Sequence, residues 1–506
     1  MREMRRARAL LVLPVLMTAI AVVAPSAASA QTGSTPPQVV KPALPAGTIT
    51  KTYKVPLSIK PGQNLNLYDA VKADQRPSEA GWIIGFRPNL KLADGSTPPV
   101  DQIHLHHLVM LLNNDIVVAS GEEKTFVTLP NGFGYPYKPT DRFLLNHMIH
   151  NLTATPEEVV FEYTVDFLPT TAPAAASIMG VQTQFVDVEG GKAYPVFDVK
   201  RNAGVNGRYT YPAQAPATLA PRNRVRIQHD GTLVATAGHL HPGGLFTELF
   251  VTRGDKTVKI FHSDAYYYGA AKMLSWNVSM GSTSPDWRVA VKRGDILSVQ
   301  VTYDTSKAAW YESMGISPVA LSNSPSGGID PFIPEQYATL DQTEVLTHGE
   351  LKENRDYGGL KTRGYADARK LADGPTLAQV KVKDFLYQQG DLTMPGKKGL
   401  PPVVAPGKSI TFVNQDPTNV VFHTITPCKT PCDRSSGISY PLANSARVDS
   451  GELGFGPAGV TASANRATWS TPTYLKAGTY TYFCRIHPFM RGAFRVKAAK
   501  TAKAKR

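Results

Sequence analysis

Apolar and polar residues alternate with a period of two along most of this chain. The alternation is clear in Ile103 to Leu112, Val159 to Phe167, Leu245 to Thr252, Ile296 to Tyr303, Ser409 to Asn414 and Thr479 to Phe483. Successive side chains of a strand point to opposite faces, so each run predicts a strand with one buried face. Pro, Gly, Asn and Asp separate the runs, and long stretches with helical spacing are absent. The pattern predicts an all-β protein built of sandwiches.

Two breaks divide the pattern. Pro, Ala and Asn-Gly turns interrupt the strands near Tyr194 to Ala217, and a charged connector punctuated by Gly and Pro runs from Asn323 to Asp373, with a short helical segment expected near Tyr365 to Leu371. The expected organisation is a sandwich over 51–205, a second over 206–325, a linker over 326–373, a third β domain over 374–497 and a basic tail over 498–506. Before these, Arg2, Arg5, Arg6 and Arg8 precede an apolar run from Ala9 to Val23 and Ala28-Ser29-Ala30. That order reads as a signal peptide over 1–30, cleaved near Ala30, and predicts a secreted, periplasmic or cell-envelope protein without a stable membrane span. A Pro-, Thr- and Gly-rich leader over 31–50 is expected to be disordered. Roughly 475 residues then remain, enough for about three domains with cores of their own.

The formal charge of +14 changes little once it is located. Signal-peptide arginines and the lysine-rich end from Lys497 to Arg506 carry much of it, and no basic stripe with interleaved aromatics is present, so a nucleic-acid partner is not expected. The three cysteines exclude a disulfide scaffold. Cys428 and Cys432 are close enough in sequence to pair in an oxidising compartment, which leaves Cys484 as a thiolate to be protected or used. No serine triad, phosphate-binding loop or dinucleotide fingerprint occurs.

Cys484 lies in Gly478-Thr-Tyr-Thr-Tyr-Phe-Cys484-Arg-Ile-His487-Pro-Phe-Met490, a strand running into a short loop with a thiolate, an imidazole and a thioether. Soft sulfur holds Cu(I), imidazole suits both oxidation states and a weak axial Met tunes the potential. His423, in Asn-Val-Val-Phe-His423-Thr-Ile-Thr, supplies the second imidazole. This stretch of about 120 residues resembles the amicyanin and plastocyanin branch of the cupredoxins. The resemblance implies a Greek-key β-sandwich with a type 1 copper held by His423, Cys484, His487 and Met490. The interval from His423 to Cys484 (484 − 423 = 61) is longer than small cupredoxins need, and the extra length is read as an inserted flap.

Ten of the twelve histidines precede His423, and seven of them form three clusters: His104, His106 and His107; His147 and His150; His239 and His241. Residues two apart on a strand share a face, so His239 with His241, and His104 with His106, can chelate one ion. Neighbours such as His106 and His107 face opposite ways unless a bulge intervenes. A His-His pair, a strand His, a His-x-His and a later Met314 resemble the ligand order of the ascorbate-dependent copper monooxygenases, typified by peptidylglycine α-hydroxylating monooxygenase. The resemblance spans roughly residues 80 to 320 and implies two jelly-roll-type sandwiches. It also implies an electron-transfer copper on His106, His107 and His150, and an oxygen-binding catalytic copper on His239, His241 and Met314. His147 competes with His150, and His104 with His107, as ligands. Ala237 stands where the peptide-hydroxylating member carries a substrate-binding arginine, so a peptidylglycine substrate is not implied.

Together the two resemblances imply a copper monooxygenase that hydroxylates a C–H bond of a small-molecule or peptide substrate. Its partners would be molecular oxygen and an external reductant or redox protein, with electrons relayed by its own type 1 copper and two further coppers in the sandwiches. The alternative is a non-catalytic electron-transfer or copper storage and delivery protein.

Overall fold

The strand Glu157–Pro169 places Val159, Phe161, Tyr163, Val165 and Phe167 on one face, and all five are buried. The computed structural model describes residues 37–498 except 62, 64–65, 101, 154, 191–194, 216–222, 269–272, 274–275, 307, 325–326, 352–359, 362–364, 417–420, 433, 436–448 and 456–465. The described residues are all-β apart from one α-helical turn, Pro334–Tyr337, and a few 3₁₀ turns, one of which, Ala368–Lys370, falls in the connector. Residues 1–30, expected to be a signal peptide, and most of the expected basic tail lie outside the described residues. No helix among the described residues is long and apolar enough to cross a membrane. Residues 37–48, expected within a disordered leader, have defined partners: the Gln38 carbonyl accepts the Leu346 N–H at 3.1 Å.

Glu157–Pro169 is flanked by Ile49–Ile59 and Gly81–Leu92, both antiparallel, with Phe161 opposite Val55 and Leu90. This sheet continues through Phe133–Tyr137, Met179–Asp187, Gly315–Ser322 and Gly231–Thr236 to Val289–Val291. A two-residue parallel contact, Met179 and Gly180 against Phe133 and Gly134, carries the sheet across. A four-stranded sheet ordered Asn66–Ala70, Phe143–Asn151, Ile103–Leu112, Asp115–Ser120 covers its first half. Phe86, Leu105, Leu108, Met110, Phe161 and Tyr163 fill the space between. A sheet of seven strands, in which Ile296–Asp304, Gly244–Arg253 and Lys256–Tyr267 are consecutive, covers the second half over Trp287, Leu249, Val299, Val301 and Leu321.

A third core lies between two four-stranded sheets at the C-terminal end. Val380, Phe412, Tyr482 and Phe494 belong to it, together with Cys484 and Met490. Arg491–Val496 runs antiparallel to Gly478–Phe483 and parallel to Val403–Val404. The chain therefore returns from the Cys484 loop into the sheet it left, and the loop is anchored at both ends. Cys428 and Cys432 form a disulfide, and Cys484 is free and buried.

Trp287 is fully buried in the second core, with its indole N–H on the Ile260 carbonyl. Trp287→Ala is expected to cost about 3–5 kcal/mol by cavity formation, measured by denaturant unfolding; a loss below about 1 kcal/mol would contradict this packing. Burial alone would lower the pKa of His262, but Asp264 at 3.0 Å and Glu248 at 3.5 Å raise it to about 9. Its stabilisation is therefore complete below the unfolded-state value near 6.5 and is lost as pH rises through about 9. The melting temperature should fall over that window, and His262→Ala should flatten this part of the profile.

Candidate metal centres

At the C-terminal centre, three elements bring three donors together. The strand His423–Thr424 pairs with Glu452–Leu453, and the Gly478–Phe483 strand delivers Cys484 and the loop carrying His487. His423 Nδ1 and His487 Nδ1 are 3.3 Å apart and lie 3.9 and 3.6 Å from Cys484 Sγ. Donors 2.0–2.3 Å from one ion in a trigonal plane stand roughly 3.5–3.7 Å apart, so this spacing fits a single metal. Among the described residues, these three are the group of His, Cys, Asp or Glu whose ligand atoms close to within 4.8 Å of one another. Met490 is buried in the same apolar cluster as Cys484, and its N–H bonds to the His487 carbonyl at 2.9 Å.

The surroundings fix these donors. Asp416 Oδ2 accepts from His423 Nε2 at 2.6 Å, which leaves Nδ1 facing the centre. Burial would lower the His423 pKa, yet Asp416 and the thiolate raise it to about 9. Burial would also raise the Cys484 thiol, but the two imidazoles hold it well below the usual thiol range. The Thr424 N–H donates to Sγ at 3.3 Å, a bond of the kind that tunes a copper–thiolate potential.

The N-terminal histidines come near one another in pairs, but among the described residues no three of their ring nitrogens close to within 4.8 Å of one another. His104 lies opposite His150 in the register between Ile103–Leu112 and Phe143–Asn151, and a bulge falls between Leu105 and His107. The bulge lets neighbours that a regular strand would separate approach each other, with His106 Nδ1 3.3 Å from His107 Nδ1. The ring of His150 stands 4.7 Å from His104 and 4.8 Å from His106, centroid to centroid. His147 lies on the opposite face, among Phe143, Leu145 and Ile149, and its Nε2 meets Asp69 at 2.7 Å. His106 also lies 4.8 Å from His241, which is 5.4 Å from His239. The two expected ligand sets thus meet at His106 and His241.

Residues that sequence patterning missed hold these rings. Glu123 Oε1 accepts from His239 Nδ1 at 2.8 Å, and the Glu312 carbonyl accepts from His241 Nδ1. Burial favours a neutral Glu123, but His239 outweighs it and brings the pKa to about 2; the adjacent Glu122 is pushed by burial to about 7. Trp276 packs on His104 and His241, at 5.5 and 5.0 Å. The Tyr303 hydroxyl accepts the N–H groups of both His241 and Met314 and donates to the Met314 carbonyl at 2.8 Å. Met314 is buried beside Met148 and Ile316. With His107 and His239 it lines a cavity of about 770 Å³.

Burial lowers the pKa of His104 to about 4 and of His107 and His241 to about 3, and holds His106 and His150 well below the usual value. Neutral imidazoles are the metal-ligating form. His104 Nε2, both ring nitrogens of His150 and His241 Nε2 are buried without hydrogen-bond partners. A bound metal would satisfy them.

The C-terminal centre packs on the second sandwich. Arg485 Nη1 lies 3.5 Å from Asp198 Oδ2, and burial, then the neighbouring Glu312 with which it shares a hydrogen bond, push the Glu452 carboxyl well above the usual carboxylate range. The Glu312 carboxylate is 3.8 Å from His106 Nε2. His150 lies within electrostatic range of His487.

No protein-family model and no curated protein matches this chain. Among solved structures, a purple cupredoxin from Nitrosopumilus maritimus aligns at 17% identity over 24% of this chain and 99% of its own, with a TM-score of 0.15. A variant of amicyanin in its Cu(I) form aligns at 20% identity over 27% of this chain and 94% of its own, with a TM-score of 0.14. The copper-containing nitrite reductase of Thermus scotoductus SA-01 aligns at 13% identity over 54% of this chain and 59% of its own, with a TM-score of 0.16. At these scores the metal centres stand on their own donor geometry.

Asp416→Ala should weaken copper binding at the C-terminal centre about 10–100-fold, because His423 loses the partner that orients it. Competition titration with a Cu(I) chelator measures this, and an unchanged affinity would argue against the orienting role.

Proposed function

We propose that this chain is a copper redox protein in which a type 1 copper on His423, Cys484, His487 and Met490 passes electrons to copper held by the buried N-terminal histidines. The observation that carries the reading is a formed thiolate–imidazole donor set in a unit that packs, through Arg485 on Asp198, against the sandwiches bearing a second group of imidazoles whose buried nitrogens on His104, His150 and His241 lack hydrogen-bond partners. Copper at the first would exchange single electrons; copper at the second would activate oxygen.

The activity that these residues support best is monooxygenation. A substrate C–H bond and the O–O bond are broken, a C–OH bond is formed, and the second oxygen leaves as water with two protons and two electrons from an external reductant. His106, His107 and His150 would hold the electron-transfer copper. His239, His241 and Met314 would hold the catalytic one, with Met314 favouring the reduced ion that meets oxygen. The cavity beside His239 and Met314 has the volume of a small-molecule site. Tyr303 keeps His241 and Met314 in register, Glu123 sets the tautomer of His239, and the dry packing around Trp276 excludes water.

Metal analysis of the copper-loaded protein should find about three coppers per chain. Met314→Ala and His241→Ala should abolish reductant-coupled oxygen consumption while the blue absorption persists. Equal turnover in those variants would overturn the monooxygenase reading, and three tightly bound coppers inert to oxygen would favour copper storage or delivery.

A further inference from the structure

We infer that the cavity beneath residues 39–44 is a second binding site, built for a neutral molecule with an apolar body and a hydroxyl group. It is distinct from the cavity beside Met314, and the inference does not rest on the copper reading.

This cavity has a volume of about 470 Å³, within the ~300–1,000 Å³ of small-molecule sites. Both sandwiches wall it, with Val118 and Leu129 from the first core and Thr283 from the strand Val278–Thr283 of the second. Ala119, His239 and Pro318 line both this cavity and the larger one. Residues 39–44 cross it as a strap. Val39, Pro42 and Pro45 are partly buried and the residues between them are exposed, the three-residue period of a polyproline-type segment. The strap is tied at one end where the Gln38 carbonyl accepts the Leu346 N–H, and at the other where Ile49 pairs with Phe167. Between these ties, among the described residues, it makes no backbone hydrogen bond. A segment held by side chains alone opens at low cost, and Val40 and Leu44, each 44% exposed, give it an apolar lip.

The lining selects the ligand. Arg87 pairs twice with Asp166, at 2.5 and 2.9 Å, and His239 pairs with Glu123 at 2.8 Å, so these charges are already matched. Lys41, the other charged residue of the lining, is on the exposed side of the strap. An ionised ligand would lose its hydration without gaining a free counter-charge inside. Thr125, Thr236, Ser282 and Thr283 donate their hydroxyl protons to Glu123 and to the carbonyls of Pro318, Val345 and Thr236. Each hydroxyl has one proton, so toward a ligand these four can only accept. A hydroxyl group on the ligand supplies the missing donor, and Val118, Leu129, Ala235 and Ala320 receive its apolar body.

The probe is 2-naphthol. Co-crystals of the full chain with 6-bromo-2-naphthol, located by bromine anomalous scattering, should place the ligand beneath residues 39–44 beside Val118 and Ala235. Bromine against Met314 in the larger cavity, or no bound ligand, would overturn the site. In calorimetric titrations, naphthalene, which lacks the donor, and 2-naphthalenesulfonate, which is charged, should each bind at least about tenfold more weakly than 2-naphthol. Equal affinities would overturn the ligand class. Ala235→Trp should abolish binding by filling the cavity, and Val39→Asp, on the strap and outside the cores, should weaken it at least about tenfold with the circular dichroism spectrum unchanged. Undiminished binding in Val39→Asp would overturn the strap as the roof of the site, even where Ala235→Trp fails to fold.

Discussion

Burying an imidazole nitrogen without a hydrogen-bond partner costs about 1–3 kcal/mol, and this chain does so at four nitrogens in one interior. His104, His150 and His241 are each almost completely buried, in a setting that holds their rings neutral. Such an arrangement survives selection when something else satisfies those nitrogens. The surrounding contacts share that logic. Val100, Glu123 and Glu312 take one nitrogen of His104, His239 and His241 respectively and leave the other aimed inward. The fold uses its hydrogen bonds to orient these rings, and a bound metal would offset the uncompensated cost.

The same economy operates where the C-terminal unit meets the second sandwich. Glu452 sits on the strand that pairs with His423, and Glu312 lies two residues before Met314, so their shared hydrogen bond links the neighbourhoods of both centres. Arg485, next to Cys484, reaches Asp198 across the same boundary. The Cys428–Cys432 disulfide packs with Phe483 against Ala309, adding an apolar contact to the polar ones. A residue adjacent to the thiolate thus serves as structural cement, and the copper unit is seated by packing as well as by its linker.

The C-terminal centre was legible because its ligands are close in sequence. Cys484, His487 and Met490 lie in one short loop, and only His423 must come from elsewhere. The all-β architecture was legible from alternation. The continuity of one sheet through both N-terminal cores was not, because it depends on a two-residue parallel contact at Met179 and Gly180 that leaves no periodic trace. The N-terminal histidines were found by clustering, but the contact between His106 and His241 comes from the packing of one sandwich on the other. Glu123 and Tyr303 were missed for a related reason. A lone carboxylate or hydroxyl acquires its role from a partner 116 or 62 residues away in sequence.

The bulge between Leu105 and His107 makes this interior unusually sensitive to chain length. A regular strand assigns each residue to one side of its sheet by parity, and the extra residue at His106 is what admits three imidazoles from four consecutive positions to one region. Deleting Leu105 would keep every histidine in the strand, yet it would restore strict alternation and turn His106 and His107 to opposite faces. The number of imidazoles this strand brings to one region therefore depends on its residue count as much as on its residue identities. Homologues that keep the histidines but lose the insertion would be expected to lose this approach of His106 to His107.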